Sequence, residues 1–317
     1  MDNLNRGPGM VYGLTAAAGW GVSSVAAAQA ARRLGTLVAL LISQVTGTIV
    51  LAAALAAMHP HLPTLASTTV LGLAGAGLFS LLGWLTYYRA LEHGPVGIVS
   101  GAAATYGGVT AILALLVLGE PLGRFGGVGD ALAVAGVAAA AIQTTGRQSA
   151  VAIDGTPMPR QWALDGRAAP RSIRSGPWSG LLLALASALT YGTGAFWLGA
   201  YAASAGWLVS ALIVYVVSVT VLLVALICRQ QRPHGEPAGA SWAVAAGLAE
   251  AVALVAFARG GQAGQVAVTA AVSSTYPVIP LAVGLVLFRE RLSALQVLGI
   301  CVTVTGLTLV SMSSRVI

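Results

Sequence analysis

Polar residues are so sparse along this chain that the spacing of its apolar runs is its first organising feature. A bilayer-crossing helix requires about 20 mostly apolar residues. Such runs fall at Met10–Ala28, Thr36–Met58, Thr69–Leu91, Val96–Leu118 and Phe125–Gln143. A second set follows at Trp178–Tyr201, Gly206–Cys228, Trp242–Arg259, Val266–Phe288 and Leu295–Met312. The pattern predicts an all-α membrane protein with about ten transmembrane helices. Gly and Ala recur within the runs, and small residues let helix backbones approach closely in lipid. Between the sets, Gly146–Ser175 carries Asp154, Asp165, five arginines and three prolines. It is too polar to span and too short to fold alone without a staple. The expected organisation is therefore a five-helix unit over 1–145, a polar connector over 146–175 and a second five-helix unit over 176–317.

The two sets share a register. Thr105-Tyr106 and Glu120 return as Thr275-Tyr276 and Glu290, each 170 residues further on. Arg89 and Arg259, Gly94 and Gly264, Gly129 and Gly299, and Gly136 and Gly306 keep the same offset. A duplicated apolar unit is a familiar plan for a solute carrier, because the seam between copies can form a binding site near the bilayer midplane. Five is an odd number of spans, so the second copy must enter the membrane in the opposite sense. The expected architecture is two inverted five-helix repeats around a central cavity.

Composition supports a membrane setting. Only 8% of residues are charged, against roughly 25% in soluble domains. The net charge of +7 comes from arginines scattered between apolar runs, not from a basic face interleaved with aromatics, so nucleic acid is not an expected partner. Twelve of the sixteen arginines fall on the face holding the connector and four on the other. The positive-inside rule then predicts a cytoplasmic connector and both termini outside. The lack of lysine and the 40 glycines suggest GC-rich coding and a bacterial cytoplasmic membrane. The N-terminus has no basic region or small-residue cleavage site before its first apolar run, which is expected to be a spanning helix and not a removed leader. Cys228 and Cys301 lie in apolar stretches without metal-ligand spacing and are expected to be buried free thiols.

Several local signatures converge. The first helix holds Gly19-Trp20-Gly21, and its repeat partner holds Thr190-Tyr191-Gly192. The third ends in Tyr87-Tyr88-Arg89-Ala90-Leu91, and the fourth closes in Leu118-Gly119-Glu120-Pro121-Leu122. The second copy runs from Ser273-Ser274-Thr275-Tyr276-Pro277 to Phe288-Arg289-Glu290-Arg291-Leu292, then Gly299 and Gly306. This ordered set resembles the EamA family of the drug/metabolite transporter superfamily, over both halves outside the connector. The resemblance implies a ten-helix bundle of inverted repeats that moves small metabolites, often by export. Two departures stand out: the mid-helix proline of the fourth span is met by Pro277 but by Gly107 in the first copy, and the loop His59–Leu65 has no arginine. Family members more often carry positive charge in that loop with termini inside, so the resemblance and the arginine count disagree on orientation.

Glu250 is the sharpest single residue. It lies mid-span, where a carboxylate costs on the order of 2.5–3.5 kcal/mol by insertion scales and should face the bundle interior or water. Its repeat partner is Ser80. The functional reading is a proton- or cation-coupling acid; the alternative is a protonated acid bonded between helices. Tyr106 and Tyr276 each adjoin a helix-weakening element, Gly107-Gly108 in one copy and Pro277 in the other. Such breaks free backbone groups that can line a cavity. Together with Thr105, Ser274 and Thr275 the two tyrosines are candidate substrate-cavity residues. So are the paired aromatics Trp20 and Tyr191, and Trp84 with Tyr87 at i, i+3 spacing on one face; packing alone is the competing reading for each. Glu120 and Glu290 are expected to cap helix ends, Asp130 to sit near water, and Arg89 and Arg259 to snorkel to headgroups.

Enzyme chemistry finds no support. The four histidines fall in predicted loops, and there is no zincin pair, nucleophile elbow, Walker loop or cysteine cluster. No catalytic residue, metal or cofactor is expected. The expected partners are a small-molecule substrate and the lipid bilayer, and a monomer would suffice. The reading is a gradient-driven secondary exporter of a small organic solute (a metabolite, amino acid or drug-like compound) working by alternating access. A passive facilitator or importer and a non-transporting scaffold are the alternatives. The absence of a mid-span arginine disfavours strongly anionic substrates.

Overall fold

The structure is a computed structural model that describes residues 7–58, 64–93, 96–119, 126–141, 177–229 and 237–280, with isolated helical positions between 282 and 309. The connector, Glu120 and Glu290 lie outside the described residues, as does the side chain of Asp130. All regular structure among the described residues is helical. In chain order it comprises α1 (Gly7–Leu34), α2 (Thr36–Met58), α3 (Ser67–His93), α4 (Val96–Ala103) and α5 (Tyr106–Leu113). A π-helical turn (Ala114–Leu118) and α6 (Gly126–Ala141) follow, then α7 (Pro177–Ala205), α8 (Trp207–Arg229), α9 (Pro237–Gln262) and α10 (Val266–Ser273). Seven stretches among the described residues are long and apolar enough to cross a membrane, with a shorter apolar stretch at Val266–Pro280.

The apolar runs and the helices agree closely in α2, where the bounds coincide. The first helix continues past Ala28 through Arg32 and Arg33 to Leu34, since arginine stems lie readily along a helix end. The fourth span is not the single helix that its hydropathy suggests. It stops at Ala103, turns through Ala104 and Thr105, restarts at Tyr106 and widens into the π-helical turn, ending at Gly119 with φ 63°. Its repeat partner does the same: α10 ends at Ser273 and a turn over Ser274–Pro277 precedes further helix at Val278–Pro280. Hydropathy registers apolarity and is blind to a local tightening of the backbone.

Two single glycines each separate one long helix from the next. Gly35 (φ 75°) separates α1 from α2, and Gly206 (φ 80°) separates α7 from α8. Each N–H closes the helix before it, Gly35 on Ala31 O at 2.8 Å and Gly206 on Ala202 O at 3.0 Å. Each carbonyl accepts from the helix after it, from Ala39 N and Ser210 N. A side chain at either position would meet the left-handed backbone penalty.

The core lies where the two halves meet. The most extensive helix contacts are α1 with α9 and α3 with α7, each joining one half to the other, and α2 packs on α8. Both main pairs are antiparallel. Along α1, Gly9 meets Gln265, Gly19 meets Ala249 and Ala253, and Leu34 meets Gly239. Along α3, Gly72 meets Tyr201, Gly75 meets Trp197 and Gly83 meets Tyr191. The seams close because glycine stands at the crossing points; a β-carbon on Gly19 would lie 2.7 Å from Ala249 O. Burial is rich in alanine, serine and glycine, as close packing in lipid requires.

The outer surface is apolar. Leu71 is 71% exposed, and Leu116 and Ile227 are 74% exposed, the faces that a bilayer would cover. Cys228 and Cys301 belong to that surface: both are exposed, contrary to the burial expected of them. An apolar neighbourhood in sequence does not tell whether a face meets protein or lipid.

Candidate substrate cavity

One cavity sits between the halves, and most of the residues selected from the sequence meet there. From α1 come Trp20, Ser23 and Ser24, and from α3 Trp84, Tyr87 and Tyr88. The broken fourth span gives Ala103 and Tyr106, α7 gives Ser187 and Tyr191, α9 gives Glu250, and Tyr276 enters from the turn after α10. The cavity holds about 50 Å³. One water needs roughly 10–15 Å³ by the same measure, so there is room for a few waters and none for a larger solute without movement.

Aromatic rings form its walls, meeting edge to face among Trp20, Tyr106 and Tyr191 and tilted elsewhere. Trp20 meets Tyr106 at 5.7 Å between centroids with an interplanar angle of 85°, and Tyr191 at 5.8 Å and 87°. Tyr106 and Tyr191 close the triangle at 5.1 Å. Trp84 packs on Tyr191 at 5.7 Å, and Tyr106 lies 6.4 Å from Tyr276. The two symmetry-related aromatic pairs thus share one cluster, in arrangements that aromatic quadrupoles favour.

The helix breaks put the tyrosines in reach of the opposite half. Where the backbone tightens to i→i+3 bonding, neighbouring hydroxyls also bond the carbonyls of the turn. Thr105 Oγ1 donates to Ala102 O at 2.8 Å, Ser274 Oγ to Ala271 O at 2.6 Å and Thr275 Oγ1 to Val272 O at 2.7 Å. These three candidates do not line the cavity; their hydroxyls serve their own turns. Gly107, the second residue of α5, allows close approach, since a β-carbon there would lie 2.6 Å from Ser274 Cβ. Gly108 follows it within α5, its N–H on Thr105 O at 3.1 Å. Pro277, which has no N–H to offer, ends the second turn. The Tyr106 hydroxyl then bonds Ser273 Oγ at 2.7 Å, and the Tyr276 hydroxyl donates to Ser100 O at 3.0 Å. Each half's broken helix is tied to the other's.

A further hydroxyl line crosses the site. Tyr87 donates to Ser24 Oγ at 2.9 Å, and Ser24 donates to Trp20 O at 2.6 Å. With its proton so used, Tyr87 accepts from Ser100 Oγ at 2.8 Å.

Glu250 is only 2% exposed. Ser43 Oγ donates to Oε2 at 3.1 Å, and Gln44 Nε2 contacts Oε1 at 3.4 Å. Both donors are neutral and both come from α2, behind the cavity wall. Counting from Gly35 and Gly206, their counterparts in the second half are Val214 and Tyr215. Ser80, the repeat partner of Glu250, is buried without a hydrogen-bond partner among the described residues. The acid and its polar support thus exist in one half alone.

Sequence reading missed Ser43, Gln44, Tyr88, Ser100 and Ser187. Gln44 carried a signal, being the one amide in the otherwise apolar α2. The serines carried none, because a small hydroxyl can face lipid, its own backbone or a neighbour alike. No basic residue lines the cavity among the described residues, and no group of three His, Cys, Asp or Glu side chains comes together among them. Arg259 sits at the far end of α9 over the Trp207 ring, 4.3 Å from its centroid, away from this site.

Comparison with known proteins agrees with this architecture. The model of the EamA-like transporter family matches residues 7–142 and 178–312, one match for each half. A crystal structure of a protein is similar over 98% of this chain and 98% of its own, with a TM-score of 0.68 at 17% identity; at that identity the likeness speaks for the fold alone. None of the curated proteins matches the chain by sequence.

Proposed function

The chain belongs to the EamA-like transporter family, and from that membership and the geometry of the cavity we propose a gradient-driven exporter of a small organic solute in a bacterial cytoplasmic membrane. Its two five-helix repeats are inverted relative to each other and alternate access to the cavity between them. Inversion is supported by helix direction. If α7 and α9, the first and third spans of the second half, cross in the same sense, then α1 opposes both because it is antiparallel to α9. The same reasoning through α3 and α7 gives the same result.

The observation that carries the proposal is the position of Glu250. A carboxyl sunk to 2% exposure at mid-span, on the wall of an aromatic cavity at the seam between halves, is costly for packing alone and suited to taking up and releasing a proton. The place of the cavity between the halves supports alternating access, since movement of one half against the other would reshape it. The two tyrosine cross-links are the contacts such a movement must break or exchange. The family and the sequence leave the solute's identity open; a wall with no basic side chain among the described residues disfavours strongly anionic compounds.

The test is solute-driven proton movement in proteoliposomes with a trapped pH-sensitive dye, scanned over amino acids, amines and small drug-like compounds. Proton movement that depends on solute and protein supports the proposal. Solute flux indifferent to an imposed pH gradient makes the protein a facilitator, and no flux with any solute makes it a scaffold.

A further inference from the structure

The polar groups of the cavity are unequally provided for, and the imbalance names a ligand class. Resting on the transport reading above, we propose that the cavity takes a small organic amine as its monocation, carrying an uncharged hydrogen-bond acceptor such as an amide carbonyl and no free carboxylate.

Three observations converge on it. First, Glu250 is the only carboxylate lining the cavity among its described residues, and no basic side chain lines it. Its bonded partners, Ser43 and Gln44, are neutral, so its charge has no counter-ion in the wall; a bound ammonium supplies one. Second, the same cavity presents Trp20, Trp84 and Tyr191, whose ring faces attract an ammonium group. Third, the Trp20 indole N–H, which can only donate, is buried with no partner among the described residues, and so is the Tyr191 hydroxyl. The indole N–H asks for an acceptor on the ligand, and the Tyr191 hydroxyl can donate to the same group. An anionic acceptor does not suit them, because a carboxylate would share the cavity with Glu250 and find no cation to pair with. The wall thus matches an amino amide or amino alcohol and discriminates against the zwitterion of the same skeleton. As it stands the cavity admits only a few waters, so a bound amine requires the halves to move apart.

The test uses the full chain in lipid nanodiscs, titrated calorimetrically with four compounds of one skeleton: leucinamide, isoamylamine, N-acetylleucinamide and leucine. Leucinamide should bind tightest. Isoamylamine, which lacks the acceptor, should bind about tenfold more weakly, the loss expected when a buried donor is left unpaired. N-acetylleucinamide and leucine should show no binding at concentrations that saturate with leucinamide. Trp20→Phe should erase the preference for leucinamide over isoamylamine, and Glu250→Gln should weaken both amines alike. Binding of leucine or N-acetylleucinamide as tight as leucinamide overturns the proposal, as does an unchanged preference in Trp20→Phe. If a variant is not recovered as monodisperse protein, the four-compound series on the unaltered chain decides alone. The two readings fail separately. Leucinamide binding without flux in proteoliposomes supports the ligand class and removes transport; flux of leucine but not leucinamide supports transport and removes the ligand class.

Discussion

Replacing Gly19 by alanine tests whether the α1–α9 seam is as close as the structure draws it. The added methyl would lie 2.7 Å from Ala249 O and 2.9 Å from Ala253 Cβ. The first neighbour is backbone, which cannot swing aside, so the helices must separate by several tenths of an ångström along their longest contact. Overpacking of this kind costs about 1–3 kcal/mol. The gain from removing a helix glycine, roughly 0.5–1 kcal/mol, opposes it. The net is about 1 kcal/mol of destabilisation, a factor of roughly five in the folding equilibrium. Gly180→Ala is the matched control on α7, since its methyl meets nothing within 4 Å among the described residues, and it should be neutral or slightly stabilising. Thermal unfolding of both variants in the same detergent, followed by far-ultraviolet circular dichroism, reads the difference. Equal midpoints for the two variants would refute the packing argument.

Three other outcomes are expected. Tyr106→Phe combined with Tyr276→Phe removes both cross-half hydroxyl bonds; at about 0.6–1 kcal/mol each the pair should lower the unfolding midpoint measurably while each single change stays near the limit of detection. Ser43→Ala with Gln44→Leu strips Glu250 of its two bonded donors, and solute-driven proton flux in proteoliposomes should fall by more than about tenfold, the cost of leaving a buried acid unsupported. A single cysteine at Ser149, with Cys228 and Cys301 changed to serine, should react with a membrane-impermeant maleimide in inside-out vesicles and not in intact cells, as the arginine distribution requires; the reverse would place the termini inside.

Much of the architecture was legible because the bilayer demands long apolar runs, and duplication turned individual residues into pairs. Trp20 with Tyr191 and Tyr106 with Tyr276 were selected as symmetric aromatics, and all four line the cavity. Glu250 was legible because a lone acid is costly in an apolar run. The hydroxyls were not. Thr105, Ser274 and Thr275 read like cavity groups, yet a hydroxyl beside a helix break finds a carbonyl of its own turn first. Ser43 and Gln44 escaped notice because their importance comes from contact with a residue more than 200 positions away. The cysteines were misjudged because hydropathy has no direction.

The asymmetry between the halves leaves one carboxyl, Glu250, among the residues that line the cavity. The tyrosine cross-links run both ways between the halves, whereas the acid and its α2 donors occur once. The most direct measurement is proton flux driven by a transported solute in proteoliposomes containing Glu250→Gln, a change that keeps size and hydrogen-bonding capacity and removes ionisation. The expected result is a monodisperse, folded variant whose proton flux falls to that of protein-free vesicles. Proton flux equal to that of the unaltered chain would show that the buried carboxyl is a packing group and that coupling lies elsewhere.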